Sequence, residues 1–233
     1  MDYLSNIELY YTPPSFRDGN NIKIEGEECS HIAKVMRHSV NDLIHITDGI
    51  GHIFECKIEN ILKDHLDLAI EKVHEYENKF HNITFCIPKL KNPERFEFAL
   101  EKSTELGITN FIIFESIRTI SKANKIERWN KILLSAMKQS LRSYLPQISL
   151  LSSFSDLIAA VGEKIIFEQN TEAVFKSELI NPSKKYLFIF GPEGGLSEDE
   201  IKIINKDNVY KLAGNRLRTE TAVLKCASIL TTI

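Results

Sequence analysis

Tyr186-Leu-Phe-Ile-Phe190 followed by Gly191-Pro-Glu-Gly-Gly-Leu-Ser197 is the stretch on which the fold turns. Five apolar residues, then three glycines and a proline, then Ser197-Glu-Asp-Glu200 read as a buried strand, an open turn and a helix start. Ser197 and Glu200 have the spacing of a capping box. Glycines at the carboxyl end of such a strand leave backbone uncovered, where a Cβ would keep a ligand away. The same glycines also suit a plain strand-to-helix connection, and the turn alone does not choose between the two.

Outward from this stretch the pattern repeats. Residues 83–87, 110–114, 164–167 and 209–212 are further strand candidates, separated by helical segments. Asn92-Pro93 supplies an N-cap and a proline at the first helical position, and Gly107 ends that helix. A second helix is expected from Ile126 to Tyr144, burying Trp129, Ile132, Leu133, Ala136 and Met137, and a last one from Thr219 to Leu230. This alternation predicts a parallel α/β sheet with helices on both faces.

Residues 1–73 read differently. Short alternating runs at 22–24, 43–46, 52–58 and 66–70 predict strands, and Ser30-His-Ile-Ala-Lys-Val-Met-Arg37 predicts a short helix capped by Ser30. The expected organisation is a small β-barrel over residues 1–73, a linker from His74 to Lys79, and an α/β domain over 80–233.

At 233 residues, 43% hydrophobic and 26% charged, the chain has the composition of a globular protein with a sizeable core. Cys29, Cys56, Cys86 and Cys226 are widely spaced, which points to reduced structural thiols rather than a disulfide frame or zinc site. The amino terminus lacks a signal-peptide pattern and no apolar run approaches a membrane span, so a cytoplasmic protein without membrane attachment is expected. Residues 84–150 hold seven Lys and four Arg against six Glu and no Asp, a net of +5 within a chain of −3. Such a basic middle suits a polyanion, and equally a solvated helix face.

Gly191-Pro-Glu-Gly-Gly195 lacks the Gly-Lys-Ser/Thr ending of a phosphate loop and the spacing of a dinucleotide fingerprint, so a nucleoside without a triphosphate fits it better. Leu212-Ala-Gly-Asn-Arg-Leu-Arg-Thr-Glu-Thr-Ala222 is a second glycine-bearing turn between strand and helix. Two such turns at neighbouring strand ends form one crevice. Gln139, Arg142 and Pro146 close the basic helix, and Arg118, Lys122 and Lys125 precede it with spacing that suits phosphate contacts. Glu105 in Lys102-Ser-Thr-Glu-Leu-Gly107 opposes the helix dipole and calls for a partner, unless it is a simple surface carboxylate. No histidine pattern suggests a metal.

Taken together, Phe190-Gly-Pro-Glu-Gly-Gly-Leu-Ser197, Leu217-Arg-Thr-Glu-Thr-Ala222, Lys102-Ser-Thr-Glu-Leu-Gly107, Gln139-Ser-Leu-Arg142 with Pro146, and His31-Ile-Ala-Lys-Val-Met-Arg37 resemble the hallmarks of RsmE-type ribosomal RNA methyltransferases of the SPOUT superfamily. The resemblance spans nearly the whole chain. It departs at Ala213, where the family's turn carries a glycine that here follows one position later, at Gly214. The resemblance implies a PUA-like RNA-binding barrel, a carboxyl-terminal trefoil knot, a homodimer, and S-adenosylmethionine as cofactor with no metal. The implied reaction is methylation of N3 of a uridine in 16S rRNA, as free RNA or within the small ribosomal subunit.

Carried over residue by residue, the resemblance implies a cofactor site of Phe190, Gly191, Gly194, Gly195, Leu212, Ala213, Gly214, Asn215 and Leu217. Arg142, Glu193 and Arg218 are the expected catalytic residues, and Lys34, Arg37, Arg118, Lys122 and Lys138 the expected grips on RNA phosphates. The competing readings are a SPOUT methyltransferase acting on another base or on a ribose, a non-catalytic RNA-binding assembly factor, and a nucleotide-binding enzyme unrelated to RNA.

Overall fold

Two six-stranded sheets, each with its own hydrophobic core, make up the chain, of which the computed structural model describes residues 4–119 and 125–231. One compact unit comprises Met1–Asn78 with Met137–Leu145, and the other Lys79–Ala136 with Pro146–Ile233.

In the first unit β1 (Leu9–Tyr11), β2 (Arg17–Asp18), β3 (Asn21–Glu25), β4 (Leu43–Thr47), β5 (His52–Ile61) and β6 (His65–Glu75) lie in the order β1-β4-β5-β6-β3-β2. Only β1 and β4 pair in parallel. The inward residues follow the period of two: Ile44 and Ile46, then Phe54, Cys56 and Ile58, then Leu66, Leu68 and Ile70 are all buried in one cluster. The sequence did not announce β1 and β2, which are short. The expected linker begins later than His74, because His74 and Glu75 extend β6, with His74 Nε2 2.6 Å from Glu55 Oε1 on β5.

The helix expected to start at Ser30 begins earlier. α1 (Gly26–Ser30) follows Glu25 and runs on as a wider, π-type turn over His31–Val35. Ser30 sits inside it at φ −63, ψ −38, with no capping hydrogen bond from its side chain.

The second unit contains β7 (Ile83–Pro88), α2 (Pro93–Glu105), β8 (Asn110–Phe114), α3 (Ile126–Gln139) except for its last residues from Met137 on, β9 (Gln147–Leu151), α4 (Phe154–Ala159), β10 (Glu163–Phe167), β11 (Tyr186–Phe190), α5 (Glu198–Lys202), β12 (Val209–Tyr210) and α6 (Thr219–Leu230). Its sheet is parallel throughout, in the order β12-β10-β11-β7-β8-β9. β11 lies inside it, and all five of its residues are buried. Their alternation splits the two layers of helices. Phe188 and Phe190 join Phe85, Leu100, Trp129 and Val223 on one face, whereas Leu187 and Ile189 join Cys86, Phe154 and Leu157 on the other. α2 starts as its sequence dictates, with Asn92 Oδ1 accepting from Glu94 N at 2.8 Å and Arg95 N at 3.2 Å. The edge strand β9 was not foreseen; its half-exposed residues lack a clear pattern.

α3 stops five residues short of the expected Tyr144. Leu141 adopts φ +54, Leu141 N bonds Lys138 O at 3.1 Å, and Arg142 N bonds Met137 O at 2.9 Å. These two bonds are the Schellman closure of a helix, with leucine where glycine is usual. The chain then continues against the β4–β5 turn of the first unit, with Gly51 N donating to Ser143 O and Leu145 N to Gly49 O, both at 2.9 Å.

Candidate active site

The carboxyl ends of β12, β10 and β11 stand side by side, so the segments leaving them share one opening. A cleft of about 840 Å³ lies there, bordered by residues 167–170 after β10, 190–195 after β11 and 211–219 after β12. This is where open α/β sheets bind ligands. The two glycine-bearing turns border one cleft, as expected, but from either side of β10 rather than from neighbouring strands.

The 190–195 turn is held from several sides. Gly195 takes φ +72, a conformation that strains residues with a Cβ, and its N–H bonds Pro192 O at 2.8 Å. Arg118 Nη1 donates to Gly194 O at 2.7 Å, and Thr219 Oγ1 donates to Gly191 O at 2.8 Å. Glu193 Oε2 accepts from the backbone N of Lys91 at 3.3 Å. Behind the turn, Leu196 is buried in the second-face core. The predicted capping box is present: Glu200 N donates to Ser197 Oγ at 3.2 Å, and Ser197 N to Glu200 Oε2 at 2.7 Å. Glu200 Oε1 also accepts from Ile117 N at 3.0 Å. Burial pushes the Glu200 carboxyl up, but the hydrogen bonds around it, that from the Ser197 N–H first and that from the Ile117 N–H among the others, together outweigh it and hold the group below its ordinary 4.5.

The 212–218 turn is different. Gly214, Asn215, Arg216 and Arg218 are exposed. Among the described residues, the hydrogen bonding of 213–217 comes down to Asn215 Nδ2 donating to Arg216 O at 3.4 Å. The helix that follows is α6, with Arg218 as its N-cap residue, and Thr219 spends its hydroxyl on the other turn.

Of the expected cofactor residues, Phe190, Gly191, Gly194, Gly195, Leu212, Ala213, Asn215 and Leu217 line the cleft, and Gly214 does not. Glu193 and Arg218 line it too, whereas Arg142 belongs to the first unit. Arg118 is the clamp on Gly194. Lys138 pairs with Glu28 within the first unit, where Lys34 and Arg37 are exposed. Lys122 lies outside the described residues. Glu105 pairs with Lys102 Nζ at 2.7 Å, an ordinary i, i+3 partner.

Sequence reading missed the third wall, Glu168-Gln169-Asn170, although the polar run after the β10 strand was its signal. It also missed Glu220, in the first turn of α6. This residue is buried, with Arg95 Nε 3.6 Å from Oε1 and no partner for Oε2 among the described residues.

The cleft has the size of a nucleoside-binding pocket. Gly191 borders the cleft and has no side chain to cover its backbone; a Cβ added there would meet nothing nearer than Leu196 Cγ at 3.9 Å. Thr219 and Glu220 open α6 on the same cleft, and Arg95 and Arg218 add positive charge. Such a wall suits S-adenosylmethionine, which carries an adenosine and an amino-acid carboxylate and has no phosphate. Among the described residues, no group of His, Cys, Asp and Glu has the arrangement to hold a metal ion, and no helix is long and apolar enough to cross a membrane.

Known proteins agree with this geometry. The family described as an RNA methyltransferase domain matches residues 76–231, and that described as an RNA methyltransferase PUA domain matches residues 24–71. The chain is 32% identical to the ribosomal RNA small subunit methyltransferase E of Bacillus subtilis (strain 168), over 96% of this chain and 94% of that one. It is 30% identical to the protein of the same name from Aquifex aeolicus (strain VF5), over 92% and 95% of the two chains. Among solved structures, the ribosomal RNA small subunit methyltransferase E of Neisseria gonorrhoeae bound to S-adenosyl methionine superposes with a TM-score of 0.82. It is 27% identical, with 96% of each chain covered.

Proposed function

The chain belongs to the family of ribosomal RNA small subunit methyltransferases of the RsmE type, and from that premise we propose that it methylates N3 of a uridine in 16S rRNA. It is an S-adenosylmethionine-dependent methyltransferase of 16S ribosomal RNA, built on a SPOUT-type parallel sheet behind a PUA-like domain. The choice of uridine N3, a homodimer with each site completed near the partner subunit, a cytoplasmic setting, a carboxyl-terminal knot and the domain limits 1–73 and 80–233 complete the reading. The observation that carries it is the single cleft bordered by both glycine-bearing turns.

S-adenosylmethionine, when bound, supplies an activated methyl group on a sulfonium. The backbone of Phe190, Gly191, Gly194 and Gly195 on one side, and of Leu212, Ala213, Asn215 and Leu217 on the other, would hold it, with Gly214 shaping the second turn. Uridine N3 carries a proton at neutral pH, so transfer requires a proton acceptor and stabilisation of the resulting imide charge. A positioned base contributes about 10²–10⁴-fold. Glu193 is the carboxylate for that place: Lys91 N fixes Oε2, leaving Oε1 for the proton. Arg142 and Arg218 take the uracil O2 and O4 oxygens or the neighbouring phosphate, spreading the charge that develops there. N3 sits on the pairing edge, so the uridine must be unpaired or flipped out. Lys34, Arg37 and Lys122 grip phosphates, and Lys138 and Arg118 do so only as far as their bonds to Glu28 and Gly194 allow.

Calorimetry tests the class: S-adenosylmethionine binds and ATP does not. Failure to bind the methyl donor would favour an RNA-binding assembly factor. Mass mapping of 16S rRNA from a strain lacking the protein tests the target. Loss of N3-methyluridine is expected, and loss of a different methylated nucleoside would move the activity to another base or to a ribose. Arg142→Ala should reduce methyl transfer by about 10²-fold or more while S-adenosylmethionine affinity stays within about twofold. Equal loss of both would reject its catalytic role.

A further inference from the structure

Arg142 is flanked on both sides by backbone constraints. On the amino-terminal side Leu141 holds φ +54, a left-handed conformation that costs a residue with a Cβ of the order of 1 kcal/mol. Such a conformation persists where the surroundings over-determine it. On the carboxyl-terminal side, Ser143 O accepts from Gly51 N at 2.9 Å and from Thr47 Oγ1 at 3.4 Å. Leu145 N bonds Gly49 O at 2.9 Å, and Tyr144 Oη donates to Tyr76 O at 2.9 Å. Residues 143–145 are thus tied along the turn between β4 and β5, where Tyr144 forms an isolated antiparallel bridge with Ile50.

That turn is itself built around one carboxylate. Asp48 is 4% exposed. Its Oδ1 accepts from Ile50 N at 3.0 Å and His52 N at 3.2 Å, and its Oδ2 lies 2.6 Å from His52 Nδ1. These bonds aim Gly49 O and Gly51 N at the Ser143–Leu145 backbone. The fit leaves no slack, because a Cβ on Gly51, which has φ +120, would stand 2.5 Å from Tyr144 Oη. The turn lies about 90 residues from Arg142 in sequence and nothing in the proposed chemistry uses it.

We propose that Asp48 is a positioning residue for methyl transfer: it sets the β4–β5 turn, and the turn sets where Arg142 stands. The proposal rests on the reading of Arg142 as a group that acts on the target nucleotide. A displacement of about 1 Å at such a group can cost about 10²-fold in rate without contact between the altered residue and the substrate. Asp48 therefore acts on kcat and leaves the cofactor cleft alone.

The test uses the full-length protein, at a temperature where circular dichroism shows each variant folded. Asp48→Ala should lower kcat by about 10- to 100-fold while S-adenosylmethionine Kd stays within about twofold. Asp48→Asn, whose carbonyl still accepts from Ile50 N and His52 N, should recover kcat to within about threefold of the parent. Tyr144→Phe, a single hydroxyl deletion, should lower kcat by about threefold with unchanged cofactor affinity and stands in if Asp48→Ala does not fold. In an Arg142→Ala background, Asp48→Ala should cost nothing more, as expected when one residue acts through the other. The proposal fails if folded Asp48→Ala keeps parental kcat, if cofactor affinity falls in step with kcat, if Asn rescues no better than Ala, or if the two substitutions multiply. If instead Arg142→Ala alone is fully active, it is the catalytic reading of Arg142 that falls.

Discussion

The two turns that border the cleft share a glycine-bearing sequence and a place at the end of a strand, yet one is fastened and the other is not. Residues 190–197 are tied by Arg118, Thr219, the Lys91 backbone and the Ser197–Glu200 capping box, with Leu196 buried beneath. Residues 213–217 are exposed or half-exposed and, among the described residues, bond little beyond themselves. The first is a preformed wall; the second has its backbone groups still to satisfy. Backbone N–H and C=O groups find partners when buried, so a ligand that covers the second turn becomes its partner. On the proposed reading, the fixed turn places the methyl donor and the loose one is the wall that binding would order.

Breaking the fastened turn gives the largest expected effect. Glu200→Ala leaves the N–H groups of Ser197 and Ile117 without their acceptor and removes the reciprocal half of the capping box, which should cost about 3 kcal/mol in urea unfolding. Because the folded carboxyl titrates below its ordinary 4.5, its stabilisation is complete above that pH and fades as pH falls through the lowered value. The parent should therefore lose part of its stability on acidification in that window, and Glu200→Gln should lose less. Thr219→Val comes next. It deletes the hydroxyl that joins α6 to Gly191 O and should cost about 1 kcal/mol, with cofactor affinity weakened about threefold in calorimetry.

Arg118→Ala is smaller still in stability, below about 1 kcal/mol, because the side chain is exposed. It should nevertheless weaken S-adenosylmethionine binding, since Gly194 O loses its anchor; unchanged affinity would show that the turn holds without it. Gly214→Ala, on the loose turn, is the smallest. A Cβ there meets nothing within 4 Å, so Tm should stay within about 2 °C of the parent.

The same contrast explains what the sequence disclosed. β8, β11, α2 and the start of α5 stand where the pattern put them, because an apolar run, an Asn-Pro start or a Ser–Glu box acts over a few residues. The β1 and β2 strands and edge strand β9 escaped notice because they are short or half-exposed. The end of α3 was missed for a different reason. Leucine at φ +54 carries no local signal, and the segment that follows it, 143–145, is tied to a turn some 90 residues away in sequence. At the site, glycine marked both turns, but their unequal fastening depends on Arg118, Lys91 and Thr219, which only the fold brings to them. The third wall at 168–170 has no glycine and was passed over.

Hydrogen–deuterium exchange with and without S-adenosylmethionine tests the central claim, a methyl-donor cleft with one fixed wall and one that closes. Amides of 212–218 should exchange fast in the free protein and slow by at least about tenfold on binding, while those of 193–197 are slow already and change little. Equal protection of both turns before the ligand is added, or no protection of 212–218 after saturation, would contradict it.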